Sequence, residues 1–342
     1  MLEAASIAVI GAGAIGGITA AYLAKAGIDV VLVCKHKDTA DKINGEGLLI
    51  KGVHGEQRIR IKSVPSVEAL SGLKDVLLIA VKAYDMPDAA IRALPFLKPD
   101  SLVVSLQNGI CTDALSAIAG RERTVGCVVG FGATMWNPAE LEMTSDGEFV
   151  IGAVSENTQG RMEALRNLLQ PVVPVRISRD IQSELYSKMI INSCITSMGV
   201  LSGLTLGEML KRKKARSIFL AIIHEAVEVA DALGLKLPPY GGKLDYYKLS
   251  SGKSAFASLK KHLIIRIVGL KYRRLKSSSL QSLKRGKPTE IDYFNGYIAD
   301  KGAALYVPTP VNKAVTAFVK EIERGERKIT PANFEENVFK NV

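Results

Sequence analysis

The fold is decided within the first sixteen residues. Gly11-Ala12-Gly13-Ala14-Ile15-Gly16 follows the apolar run Ile7-Ala8-Val9-Ile10 and opens a small-residue stretch over 14–26. A strand, a tight glycine turn and a helix in that order begin a βαβ unit. Gly11 permits the turn, Gly13 lets backbone amides approach a pyrophosphate, and Gly16 lets the helix pack close to the strand. The helix N-terminus then faces the phosphates. The pattern predicts a Rossmann-type domain whose Gly11, Ala12, Gly13, Ala14, Ile15 and Gly16 hold a dinucleotide. A glycine turn of purely structural use is the competing reading.

The end of the second strand bears on which dinucleotide. Sites that prefer NAD place an acid there for the ribose 2′-hydroxyl. Here the chain reads Val33-Cys34-Lys35-His36-Lys37, with no acid before Asp38. Cations at that place suit a 2′-phosphate, so NADPH is expected, with Lys35 as its first partner and Lys37 as its second. The missing acid also argues against an S-adenosylmethionine site, which needs a ribose-binding carboxylate nearby.

Strand-like runs at 6–10, 29–33, 75–81, 101–106 and 124–129 alternate with helical stretches, which implies a parallel sheet covered on both faces. Two shorter pieces, 141–144 and 148–151, read as an antiparallel addition near the sheet edge, and 159–169 as a last helix. Beyond about residue 177 the period becomes helical, with Ile218, Ile222, Ala226 and Val229 on one face. Further helices are expected around 290–305 and 311–323. The fold class is therefore α/β: a Rossmann domain over 1–176, then a mostly α-helical domain over 177–342.

The net charge of +11 is local. Between Lys243 and Lys287 stand thirteen Lys or Arg against the single acid Asp245, a net +12 that leaves the rest of the chain at −1. Nucleic-acid binding is therefore not expected. No apolar run of about 18 residues occurs, so neither is stable membrane insertion. The start Met1-Leu2-Glu3-Ala4-Ala5 lacks a basic leader segment, and Cys34, Cys111, Cys127 and Cys194 form no CxxC pair. A reducing, cytoplasmic setting is expected. No metal is expected, because His36, His54, His224 and His262 are far apart and no cluster has ligand spacing.

Four further stretches carry a family resemblance: Val81-Lys82-Ala83-Tyr84, Gln107-Asn108-Gly109, Lys188-Met189-Ile190-Ile191-Asn192, and Ser278-Ser279-Leu280-Gln281 leading to Thr289-Glu290-Ile291-Asp292-Tyr293-Phe294-Asn295-Gly296. With the glycine loop, their order and spacing resemble the ketopantoate reductase family over nearly the whole chain. The resemblance implies NADPH-dependent reduction of a small 2-oxo acid, 2-dehydropantoate above all, in pantothenate and coenzyme A biosynthesis. It implies Lys188 as general acid and Glu290 as the carboxylate that orients Lys188 and meets substrate and cofactor. It further implies Asn192 and Ser278 as substrate contacts, Asn108 beside substrate and nicotinamide ribose, and Lys82 close to the cofactor.

The residues support these roles on their own chemistry. Reduction of a carbonyl needs a hydride, a proton and donors that hold the carboxylate. Lys188 stands among the apolar Leu185, Met189, Ile190 and Ile191, where partial desolvation would ready an ammonium to give up its proton. Asn192 lies one turn later on the same helix face. The competing structural readings are a solvated lysine stem for Lys188, a packing amide for Asn192, helix capping for Glu290, loop bonding for Ser278 and a plain turn for Asn108.

Two features depart from the family. Its second substrate-facing Asn, four residues after the first, is Thr196 here, whose hydroxyl makes it a candidate substrate contact at that place, and a further one falls on Leu206. An altered pocket should discriminate differently, so another 2-oxo acid, or an imine as in opine-forming enzymes, is the alternative substrate. A nucleotide-binding module without catalysis is the alternative of a different class. A basic insertion over about 241–276 mixes apolar and cationic residues and suggests helical packing or a homodimer contact, then a lid, then contact with anionic lipid or another polyanion.

Overall fold

The computed structural model describes residues 5–252, 254–340 and 342, and the chain divides into two compact units, Met1–Leu185 and Tyr186–Val342. The first unit runs β1 (Ile7–Ile10), α1 (Ala14–Lys25), β2 (Val30–Val33), α2 (Lys37–Glu46), β3 (Leu48–Gly52), β4 (Gln57–Ile59), β5 (Lys62–Val64), β6 (Lys74–Ile79) and α3 (Met86–Ala93). It continues with β7 (Leu97–Ser105), α4 (Thr112–Ala119), β8 (Thr124–Val129), β9 (Gly132–Asn137), β10 (Glu140–Ser145), β11 (Phe149–Ala153), α5 (Glu156–Gln159), α6 (Met162–Leu169) and β12 (Val175–Ile177).

Eight of these strands form one sheet in the order β12-β11-β8-β7-β6-β1-β2-β5. All its pairs are parallel except β11 against β8. The inner strands β1, β2 and β8 are buried at every position because helices cover both faces, which is why they read as unbroken apolar runs. The expected segment 148–151 is the antiparallel strand β11. The expected segment 141–144 is a correction: it belongs to β10, which lies in a separate four-stranded sheet ordered β4-β3-β10-β9. That sheet packs on α1, where Leu141 fills the space that a side chain at position 17 would need; a Cβ on Gly17 would lie 2.4 Å from its Cδ1. The short strands β3, β4, β5, β9 and β12 went unread because their apolar alternation is weak.

The second unit is helical: α7 (Ile181–Ser202, shared across the division), α8 (Leu206–Lys211), α9 (Lys213–Ala232), α10 (Tyr246–Ser250), α11 (Ala255–Lys271), α12 (Ser278–Lys284), α13 (Asn295–Ala304) and α14 (Pro310–Glu323). The unit boundary falls within α7, nine residues beyond the expected 176. The reason lies in its first turn, where Ile181 packs on the sheet against Gly126 and Gly152. Ile218, Ile222, Ala226 and Val229 are fully buried along α9, as their spacing predicts. The stretch expected as one helix over 290–305 begins as a 3-10 turn, Ile291–Tyr293, and breaks at Phe294 before α13. Among the described residues no helix is long and apolar enough to cross a membrane.

Candidate active site

In the first unit, four neighbouring strands deliver the expected nucleotide contacts to one edge. β2, β1, β6 and β7 are adjacent and parallel, and Lys35, the glycine loop, Lys82 and Asn108 follow their carboxyl ends. The strand order reverses between β1 and β6, the place where open α/β sheets bind ligands.

The glycines divide by role. Gly11 has φ +113°, and a Cβ there would meet the Ala80 carbonyl at 2.9 Å. At Gly16 a Cβ would lie 2.1 Å from the Gly11 carbonyl oxygen and 2.8 Å from the Ala80 Cβ, so only glycine lets α1 sit this close to β1 and β6. Gly13 differs, because nothing lies within 4 Å of an added Cβ. No side chain caps α1 at Gly13. An open space in front of uncapped first-turn amides fits a dinucleotide pyrophosphate.

Lys35 is exposed and lies 3.9 Å from the Asp85 carboxylate, too loose a surface contact to hold it from a phosphate. Lys37 donates to Asp41 one turn along α2 at 2.5 Å, so the nearer lysine is the better-placed cation. Lys82 is half-buried and precedes the 3-10 turn Ala83–Asp85. Asn108 is half-buried, and Gly109 after it takes φ +81°. Gln107 is buried and accepts from the Ser105 hydroxyl.

In the second unit α7 is the spine. From Tyr186 to Ser202 every residue is buried except Lys188, Asn192 and Ile195. Their spacing of four and three places them on one face. The hydroxyls elsewhere on the helix are engaged: Ser187 donates to the Pro238 carbonyl at 2.9 Å, Ser193 to Met189 and Ser202 to Met198. Tyr186 donates to Ala226 at 3.0 Å and Tyr246 to the Ser187 carbonyl at 2.7 Å, fixing the helix against its neighbours. Thr196 is buried and its hydroxyl donates to the Asn192 carbonyl at 2.7 Å, so its proton is not offered to a ligand. Leu206 is buried at the start of α8.

The two distant motif segments are tied to this spine. Ser277 caps α12, accepting from the Leu280 amide at 3.0 Å and donating to the Thr196 carbonyl at 2.7 Å. Ser278, the next residue, is exposed on the first turn of α12 rather than in a loop. Glu290 is buried at the N-cap of the 3-10 turn that follows, and its side chain makes no cap hydrogen bond there. Five residues on, buried Asn295 accepts from the Ser197 hydroxyl of α7. Its amide donates to Asn312 at 2.9 Å, and Asn312 in turn donates to Glu225 at 2.7 Å. Glu225 also accepts from the backbone amides of Val311 and Asn312 at 2.8 and 2.9 Å. Burial pushes its carboxyl above the ordinary range, and the bonds from Asn312 and Val311 oppose that shift without cancelling it.

Sequence reasoning missed Ser277, Ser197, Asn295, Asn312 and Glu225 as supports. Two signals were available. Asn295 lies inside the quoted motif, and Glu225 is an acid on the otherwise apolar face of α9.

Comparison with known proteins bears on both units. The family described as "Ketopantoate reductase PanE/ApbA" matches residues 7–156, and its C-terminal counterpart matches 180–323. A 2-dehydropantoate 2-reductase of Aquifex aeolicus is 27% identical over 328 residues, covering 94% of this chain and 98% of that protein. A PanE/ApbA family ketopantoate reductase of Ralstonia eutropha JMP134 superposes with a TM-score of 0.80 at 28% identity, over 94% of this chain and 100% of that one. D-mandelate dehydrogenase, solved with NADH and anilino(oxo)acetate, shares the fold with a TM-score of 0.81 at 21% identity, over 94% of this chain and 99% of that one.

Proposed function

Because this chain belongs to the ketopantoate reductase family, a family of oxidoreductases, we propose that it reduces 2-dehydropantoate to pantoate with NADPH. The observation that carries the reading is the single open face of α7, where Lys188 and Asn192 are the polar groups left between buried positions. The segments bearing Ser278 and Glu290 are hydrogen-bonded to that same helix through Ser277 and Asn295.

The glycine loop and Lys35 would hold NADPH, which would supply the hydride that C2 of the 2-oxo acid accepts. Lys188 donates the proton that the carbonyl oxygen takes up, so one hydride and one proton convert the ketone to an alcohol. A general acid among apolar neighbours such as Met189 and Ile190 polarises the carbonyl more strongly than it would in water. Asn192 donates to the substrate from one turn along α7, Ser278 holds the carboxylate, and Glu290 orients the Lys188 ammonium. Asn108 contacts substrate and nicotinamide ribose, Lys82 borders the cofactor, and the glycine loop with Lys35 takes the pyrophosphate and 2′-phosphate. The setting is the cytoplasm, and the product feeds pantothenate synthesis.

A second reading, reduction of a different 2-oxo acid, rests on Thr196 and Leu206. One has its hydroxyl turned to the helix backbone, and the other offers no polar group. NADPH absorbance followed with 2-dehydropantoate and then with a panel of 2-oxo acids, with and without an amine, separates the readings. Lys188→Ala should lower turnover by a factor of about 100 or more while leaving NADPH binding nearly intact. Unchanged turnover would remove Lys188 from the chemistry.

A further inference from the structure

The longer helix of the basic insertion, α11, has two apolar faces. One face of α11 packs inside its unit: Ile265 is fully buried, and Gly269 sits so close to α8 that a Cβ would lie 2.7 Å from the Leu210 Cβ. The other face is open. Phe256, Leu259, Leu263, Ile267 and Leu270 recur at spacings of three, four, four and three, which aligns them in one stripe along the helix. They are exposed, from 54% for Ile267 to 78% for Phe256. A stripe of five large apolar side chains is a contiguous patch rather than scattered surface residues.

Cations border the stripe on both sides. At 100° per residue Lys260 and Lys271 flank one edge and Arg266 the other, and all three are exposed. Just beyond the helix stand the exposed Arg273 and Arg274. Among the described residues no carboxylate lies within ion-pair distance of Lys260, Arg266, Arg273 or Arg274. The unit's own acids therefore leave this charge unneutralised.

The pairing of stripe and charge selects the occupant. In a two-fold contact through α11, a second copy would meet the same face and bring like cations together in a segment of net +12. A nucleic acid would match the charge but give five apolar side chains nowhere to go. An anionic bilayer supplies both: phosphate headgroups for the flanking cations and the acyl boundary for the stripe. We propose that α11 docks the chain peripherally on anionic lipid surfaces, lying in the interface with its Phe256–Leu270 stripe toward the acyl chains. The helix lies on the bilayer and does not span it.

Flotation of the full-length protein with vesicles tests this. Vesicles of phosphatidylcholine mixed with phosphatidylglycerol should carry the protein, and pure phosphatidylcholine should not. The double substitution Leu263→Asp with Ile267→Asp should abolish flotation, and Lys260→Gln with Arg266→Gln should weaken it about thirtyfold. Raised salt should weaken it as well. Reductase turnover and melting temperature serve as folding controls, and should the aspartate variant fail them, the glutamine pair decides. Failure to float with anionic vesicles, equal flotation with neutral ones, or indifference to the glutamine pair would overturn the proposal. So would a wild-type dimer in sedimentation that ignores vesicles and becomes monomeric on Leu263→Asp with Ile267→Asp, because the stripe would then join two copies.

Discussion

Replacing Gly13 and Gly16 in turn by alanine separates binding from folding within one loop. Gly13 has φ −78° and ψ −171°, extended backbone that alanine adopts without strain. An added Cβ meets nothing within 4 Å. Alanine is a poorer N-cap than glycine by up to about 1 kcal/mol, and it stiffens the unfolded chain by about 0.4–1 kcal/mol in compensation. The two nearly cancel, so the nucleotide-free melting temperature of Gly13→Ala should stay within about 4 °C of wild type. Gly16→Ala is different, because its Cβ would lie 2.1 Å from a backbone oxygen that cannot swing aside. Overpacking of that kind costs about 1–3 kcal/mol, and the melting temperature should fall by several degrees. For the nucleotide the order reverses in kind. A methyl group at Gly13 occupies the space in front of the α1 amides and weakens at least one charge-assisted hydrogen bond, each about 1.5–3 kcal/mol. NADPH affinity should then drop about tenfold to a hundredfold. The assay is thermal melting with and without NADPH. Ligand at a hundred times its Kd stabilises wild type by about 2.7 kcal/mol, and at the same concentration Gly13→Ala should lose about 1.3 to 2.3 kcal/mol of that increment. If Gly13→Ala melts low without nucleotide yet gains the full increment with it, the loop's open space has no bearing on phosphate binding.

Two further outcomes follow from the same geometry. Lys35→Ala should raise the KM for NADPH about tenfold, since an exposed cation at contact distance is worth about 1 kcal/mol per unit of phosphate charge. NADH kinetics should barely change, Lys37→Ala should do less because Asp41 holds that lysine, and equal losses with both nucleotides would unseat the 2′-phosphate role. Glu225→Ala should cost about 3 kcal/mol or more in a chemical melt, because three buried donors lose their acceptor at about 1–3 kcal/mol each. The titration has a definite sign. Glu225 holds its proton more tightly folded than its ordinary value of 4.5, so its stabilising contribution is full below that value and is lost as pH rises through the raised one. Glu225→Gln cannot ionise and should lack that decline; parallel melting curves for the two proteins across this range would contradict it.

Much of this was legible in the residues. The glycine loop, the parallel strands and the Lys188–Asn192 face were readable because each is local: a turn that needs glycine, an apolar run, a four-residue period. What escaped was long-range. The placement of 141–144 depended on Leu141 meeting Gly17, an approach that strand periodicity does not encode. Ser277 instead of its neighbour Ser278 reaches α7, because the cap of α12 turns the first hydroxyl inward, and two adjacent serines look alike in a string of letters. Thr196 reads as a donor by composition, yet its position within a helix sends the proton to the carbonyl one turn back. The outward stripe of α11 was visible as regular apolar spacing, but only packing shows which of its two apolar faces is covered.

The chain Ser197–Asn295–Asn312–Glu225 has a consequence for anyone who would transplant this chemistry into another scaffold. The contiguous motif 289–296 is not a portable cassette. Moved alone, Asn295 would arrive in an apolar interior with its amide orphaned, at about 1–3 kcal/mol for each unpaired group, a large fraction of a small domain's stability. The smallest graftable piece is a set of four helices brought from four separate stretches of the sequence.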